Sequence, residues 1–172
     1  MDRHGQVTGW PLTYKPSGVS VDPISCSATV TYYDESAIQE FTDTGSPSNL
    51  IPVNVSYPWD AVRLSSGDYV VSHGWGQGGV VIVNDAGRVL QSDTGMPSAL
   101  DRPYSLAVSE TGFILVADHD RGKIVLLDQS LRYIRDLVNL HTPTRIWLDE
   151  GRGLLYAAQE SLSSNVRVYS LK

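Results

Sequence analysis

The sequence predicts an all-β chain built from a four-stranded unit repeated about four times. Three observations lead there. Proline opens an alternating apolar run at Pro16, Pro58, Pro103 and Pro143, spaced 42, 45 and 40 residues apart. Each opening is followed by a turn signal and a β-branched or aromatic run, the pattern of two strands joined by a tight hairpin. No window sustains a 3.6-residue apolar period, because Gly and Pro interrupt every candidate. At 172 residues, 41% hydrophobic and 19% charged, the chain suits one domain with its own core and lacks the composition of a disordered segment.

Taken in order, the first strands of the copies follow the four prolines. The turns then fall at Asp22-Pro23, Ser65-Ser66-Gly67-Asp68, Ser109-Glu110-Thr111-Gly112 and Asp149-Glu150-Gly151. Second strands are expected at Ala28–Tyr32, Tyr69–Ser72, Phe113–Ala117 and Leu154–Ala158. A polar loop of variable length follows. Third strands begin near Ile38, Val80, Ile124 and Val166, which lie 22, 22, 21 and 23 residues after their prolines. Weaker fourth runs lie around Leu50–Val53, Val89–Leu90 and Tyr133–Leu137, and the fourth copy reaches Lys172 without one.

Four short antiparallel strands every 40–45 residues in a fixed register define the blade of a β-propeller. The whole chain, 1–172, reads as one segment of about four blades starting near 16, 58, 103 and 143, with 1–15 as a leading strand or linker. The run Gln6-Val7-Thr8-Gly9-Trp10 either supplies the outer strand of the fourth blade or belongs to a preceding one. An incomplete ring is expected, with open blade edges available for self-association. Val19, Val21, Ala61, Val62, Leu106, Val108, Ile146 and Leu148 are the expected packing residues of the inner strands.

Formal net charge is −6, and all of the excess lies in residues 1–86, which carry 3 basic and 9 acidic side chains. A broad basic face for duplex nucleic acid is therefore not expected. Cys26 is the single cysteine, so neither an internal disulfide nor a cysteine-based metal cluster is available, and its turn-like setting suits an incidental role. The N-terminal MDRHGQVTGWPLTY lacks the apolar centre of a signal peptide, and no run reaches the ~20 apolar residues of a membrane span. The expectation is a cytoplasmic chain without membrane contact.

The third copy is similar to an NHL repeat. It runs Arg102-Pro103-Tyr104-Ser105-Leu106-Ala107-Val108, then Phe113-Ile114-Leu115-Val116-Ala117-Asp118, a polar loop His119-Asp120-Arg121-Gly122, and Lys123-Ile124-Val125-Leu126-Leu127. The other copies look like degenerate versions, with Val71-Ser72-His73 and Tyr156-Ala157-Ala158-Gln159 where the third has Val116-Ala117-Asp118. The resemblance covers the chain from Pro16 onward. It implies a propeller, normally six-bladed, like the C-terminal domain of TRIM-NHL proteins, which act in ubiquitin transfer or RNA regulation. Their upstream zinc modules have no counterpart here, so ligase chemistry is not expected within this sequence.

Loops joining strand two to three, and strand four to the next blade, share one rim of a propeller, where such folds bind. That places Tyr33, Tyr57, Trp59, His73, Trp75, Arg102, Tyr104, His119, Arg121 and Arg145 on one candidate surface. For Trp59 and Tyr104, at strand starts, packing between blades is an equally good account. Trp75 sits in the glycine-flanked loop His73–Gly79 and is the best candidate for an exposed anchor. That loop has no following helix and no Gly-Lys-Ser/Thr ending, so it is not a phosphate loop. Asp118-His119-Asp120 lacks a second cluster to complete a metal shell, and no Gly-x-Ser-x-Gly elbow is present. The expectation is a binding scaffold with no catalytic residues, no metal and no cofactor. A protein is the expected partner, with single-stranded RNA on the same rim as the alternative.

Overall fold

The structure, a computed structural model, describes residues 9–22, 25–160 and 165–171. All its regular elements are strands. The first sheet holds β1 (Gly18–Val21), β2 (Ala28–Tyr32), β3 (Ala37–Phe41) and β4 (Ile51–Pro52). The second holds β5 (Pro58–Arg63), β6 (Tyr69–His73), β7 (Gly79–Val83) and β8 (Val89–Ser92). The third holds β9 (Pro103–Val108), β10 (Ile114–Asp118), β11 (Lys123–Leu127) and β12 (Tyr133–Asn139). The fourth holds β13 (Pro143–Asp149), β14 (Leu154–Gln159) and β15 (Asn165–Ser170). Every pairing within these sheets is antiparallel and sequential. This is the four-bladed propeller architecture that the repeat predicts, with three strands rather than four in the last sheet.

Each blade has two faces, and the repeat position decides which one a residue uses. Three residues after the blade proline stand Ala61, Leu106 and Ile146. Ala61 packs with Ile38 and Ile51 of the first sheet, Leu106 with Val70 and Val80 of the second, and Ile146 with Leu115 and Ile124 of the third. One residue later, Val62 and Ala107 turn to the following blade and join the clusters built around Leu106 and Ile146 respectively. The alternation of a strand thus becomes a lateral stack of sheets. Each fully buried Val, Leu or Ile in it stabilises the fold by roughly 1.5–3 kcal/mol.

The same rule explains two departures from the expected core. Val19 and Val21 occupy the face of the first blade that looks away from the second, and they are 67% and 63% exposed. The segment before β1 covers part of that face: Trp10 stacks on Phe41 with ring centroids 6.1 Å apart, and Tyr14 meets Tyr32 edge-on at 5.6 Å. Trp10 therefore lies against the first blade, and Gln6, Val7 and Thr8 of the suggested outer strand lie outside the described residues.

A ladder of polar contacts ties the inner strands together near their starts. Two residues after each proline stand Gly18, Asp60, Ser105 and Arg145. The Leu106 N–H donates to Asp60 Oδ2 at 3.0 Å, and the Ile146 N–H donates to Ser105 Oγ at 3.3 Å. Arg145 Nη2 donates to the Ser17 carbonyl at 2.9 Å, linking the fourth blade to the first. Gly18 leaves room for this arrangement, because a Cβ there would stand 2.6 Å from the Trp59 carbonyl oxygen.

Candidate functional site

The rim at the start of the inner strands is built by one local device used three times. Tyr57, Arg102 and Thr142, each directly before a blade proline, have φ of +58°, +54° and +45°. Left-handed backbone is unusual for such residues and costs on the order of 1–3 kcal/mol unless the surroundings enforce it. Here a loop amide enforces it: Gly74 N–H donates to Tyr57 O at 3.0 Å, His119 N–H to Arg102 O at 3.2 Å, and Glu160 N–H to Thr142 O at 3.1 Å. The residue after the proline is then skipped in the ladder, since Pro58 pairs with His73 and Asp60 with Ser72, Pro103 with Asp118 and Ser105 with Ala117, Pro143 with Gln159 and Arg145 with Ala158. The skipped residues are Trp59, Tyr104 and Thr144. A bulge of this kind re-aims its side chain, and it delivers two of these three to the rim as aromatics.

The result is a continuous aromatic chain across three blades. Tyr57 stacks on Tyr33 at 4.9 Å, Tyr33 meets Trp59 at 4.5 Å, Trp59 meets Tyr104 edge-on at 4.5 Å, and Tyr104 meets His119 at 4.6 Å. Trp75 joins at 6.1 Å from Trp59 and is 59% exposed. Trp59 is half-buried, and its indole N–H donates to Gly74 O at 2.9 Å. It serves both as packing and as surface. Beside the chain lies a groove of about 390 Å³, walled by Tyr33, Trp59, Trp75 and Tyr104 and edged by Lys15, Asp34 and Arg145.

Charge on the rim is largely committed internally. The Arg102 guanidinium lies 4.7 Å from the Trp75 ring centroid and 5.7 Å from that of Tyr104, and it forms a bidentate pair with Asp120. That pair raises the Arg102 pKa. Desolvation pushes Asp120 up, but hydrogen bonds from Arg102 and His119 outweigh it and hold its carboxyl below the usual range. His119 Nδ1 is 2.6 Å from Asp120 Oδ1. Arg145 Nη1 is shared between the carbonyls of Tyr104 and Thr144 at 2.9 and 3.0 Å.

Two buried carboxyls underlie this surface. Asp60 accepts from the Ala61 and Leu106 N–H groups, yet desolvation dominates and its pKa is pushed up to about 6. Asp118 is fully buried; burial likewise pushes it up to about 6, against the pull of the Asp101 N–H at 2.9 Å and of Lys123 and Arg121 nearby. Among the described residues, Asp118 Oδ2 and His119 Nε2 find no hydrogen-bond partner, although Glu160 stands 3.6 Å from the latter.

Of the ten candidate positions, the structure gathers Tyr33, Tyr57, Trp59, Trp75, Arg102, Tyr104, His119 and Arg145 around the groove and its aromatic chain. His73 and Arg121 stand elsewhere. His73 is at the end of β6, where an added Cβ on Gly79 would meet both its ring and Asp93, and burial lowers its pKa. Arg121 is exposed and donates to the Ala99 carbonyl. Lys15 belongs to the site and escaped the sequence reading; Asp34 and Asp120 lie in its rim loops but were not among the selected residues. The recurring signal that finds the centre of the site is an aromatic one residue after a blade proline, Pro58-Trp59 and Pro103-Tyr104.

No protein-family model matches the chain, and no curated protein matches it. Solved structures do. Hydrazine synthase of Kuenenia stuttgartiensis is similar at 13% identity and a TM-score of 0.72, over 99% of this chain and 49% of that one. A nidogen/laminin complex is similar at 16% identity and 0.73, over 91% and 60%. Virginiamycin B lyase from Staphylococcus aureus is similar at 14% identity and 0.67, over 97% and 60%. The fold thus defines a β-propeller, and the neighbours are β-propeller proteins whose lengths this chain spans by half to three fifths.

Proposed function

We propose that the chain is a non-catalytic binding scaffold whose rim groove recognises a protein partner. The carrying observation is the aromatic chain from Tyr57 to His119, flanked by the exposed Trp75 and the stacked Arg102. Tyr, Trp and Arg are the residues that anchor interfaces, because they offer large rigid area at small entropic cost. The groove presents ring faces, and the Trp59 donor is already satisfied, so it favours apolar and stacking side chains of an extended segment. On the resemblance to NHL repeats, the partner would be a target or regulator in a TRIM-NHL-like, ubiquitin-pathway setting in the cytoplasm.

Binding of single-stranded RNA is the second reading, favoured by the stacking surface itself. It ranks lower because Arg102 is neutralised by Asp120, and Asp34 and Glu160 border the same rim.

The test is a selection of peptides from a random display library, followed by tryptophan-fluorescence titration. Trp75→Ala and Tyr57→Ala should each weaken binding by about ten-fold or more with unchanged melting temperature. Equal affinity of both variants would remove the rim from the function. Salt-dependent affinity for a single-stranded RNA pool, lost in Arg102→Ala, would put the second reading first.

A further inference from the structure

The rim groove has hydrogen-bond donors to spare and few acceptors. Carbonyls around it are already used: Gly74 O accepts the Trp59 indole N–H, Tyr57 O accepts the Gly74 N–H, and those of Ser17, Tyr104 and Thr144 all accept from Arg145. Asp34 is the one carboxylate among the lining residues. Donors are left over. Among the described residues, the hydroxyls of Tyr33 and Tyr57 and the indole N–H of Trp75 find no hydrogen-bond partner, and the Tyr104 hydroxyl only accepts, from Arg102 at 3.3 Å. Arg145 spends both Nη1 hydrogens and one on Nη2 on carbonyls, which leaves its Nε–H and second Nη2–H.

Such a wall suits a ligand that brings carbonyls, brings few N–H groups and lays flat apolar surface on ring faces. Proline has no N–H. A polyproline II helix makes no internal hydrogen bonds, so its carbonyls are free to accept. Its rings dock on aromatic-lined grooves, and its backbone is ordered before it binds, which lowers the entropic cost. An ordinary extended segment would instead carry one N–H per residue to a surface short of acceptors, and each one left unmatched on burial is penalised.

Charge narrows the choice further. Although the chain as a whole carries −6, two cations line this groove, Lys15 and Arg145. The charge of Arg145 is felt by the buried Asp60, yet among the described residues neither cation is in ion-pair contact with a carboxylate. Arg145 is also held in place by carbonyls from the first, third and fourth blades. It is a fixed positive group beside a ring surface.

We propose that the rim groove binds a proline-rich segment in the polyproline II conformation, with an acidic residue beside the prolines that Arg145 and Lys15 receive. The proposal rests on the protein-binding reading of the rim and narrows it to one chemistry.

The probe is a blocked peptide, a run of prolines with aspartate at each end, titrated into the full chain up to roughly 1 mM and followed by tryptophan fluorescence. An analogue with alanine for every proline should bind at least about ten-fold more weakly. Lysine in place of the aspartates should weaken binding by about three-fold or more, by a margin that shrinks as salt is added. Tyr33→Phe removes one donor and keeps the ring, so it should weaken the proline peptide by about five-fold with an unchanged melting temperature. No binding of the proline peptide, equal affinity for its alanine analogue, equal or tighter binding of the lysine-flanked form, or full affinity in Tyr33→Phe overturns the proposal. A random display library separates it from the reading beneath it. Binders that lack proline but are lost in Trp75→Ala overturn the proposal and leave a protein-binding rim, whereas a library without any binder lost in that variant overturns both.

Discussion

Asp60 in the second blade accepts the backbone N–H of Leu106 in the third at 3.0 Å, so one buried carboxyl joins neighbouring sheets. Its pKa is raised to about 6 by burial, from a value near 3.8 when the chain is unfolded. An acid whose folded pKa exceeds its unfolded pKa binds its proton more tightly in the fold. Its contribution therefore favours the fold at low pH and is lost as pH rises from about 4 to about 6. Thermal melts of Asp60→Asn and the parent across pH 4–7 should show the variant gaining on the parent by on the order of 3 kcal/mol over that window. A pH-independent difference would contradict a raised Asp60.

Arg145 lowers the Asp60 pKa and bridges to the Ser17 carbonyl. Arg145→Met keeps the stem and removes the charge. Urea unfolding should show a loss of roughly 2 kcal/mol, as expected for charged donors taken from carbonyls. The Asp60-linked decline should also move to higher pH.

Gly18 has no room for a side chain, since its Cβ would stand 2.6 Å from Trp59 O and 3.2 Å from the Asp60 Cα. Both are backbone atoms that cannot swing aside. Gly18→Ala should destabilise by about 1–3 kcal/mol in chemical denaturation, and a neutral result would mean that the first and second blades separate easily.

Trp59 and Trp75 are neighbours in the site but should separate cleanly in stability. Trp59→Ala removes a half-buried ring touching three aromatics and frees the Gly74 carbonyl, so a loss of about 3 kcal/mol is expected. Trp75→Ala should stay within about 0.5 kcal/mol in the same assay. Equal losses would make Trp75 structural and weaken its place as an anchor.

The four prolines and the returning register sufficed to read the blades, because strand periodicity and turn chemistry are local properties of the chain. They placed β2, β6, β10 and β14 within a residue or two. They misjudged Val19 and Val21, whose alternation matches that of Ala61 and Leu106, because a residue's pattern names a face and not what lies against it. The aromatic rim was legible as a set of loops. Its centre, Trp59, was ambiguous because a bulge after the proline turns it, and a bulge leaves no mark in hydrophobic periodicity. Asp120 was legible as a loop residue but not as the partner of Arg102, because that pairing joins positions 18 residues apart.

The left-handed residue, the proline and the skipped residue that follow one another at Tyr57-Pro58-Trp59, Arg102-Pro103-Tyr104 and Thr142-Pro143-Thr144 form a socket fixed by backbone alone. The side chains it displays differ in every copy while the socket does not. Recognition in this molecule is therefore modular: the third socket, which shows two threonines, could be given aromatics and the groove widened by one blade without repacking the sheets beneath it.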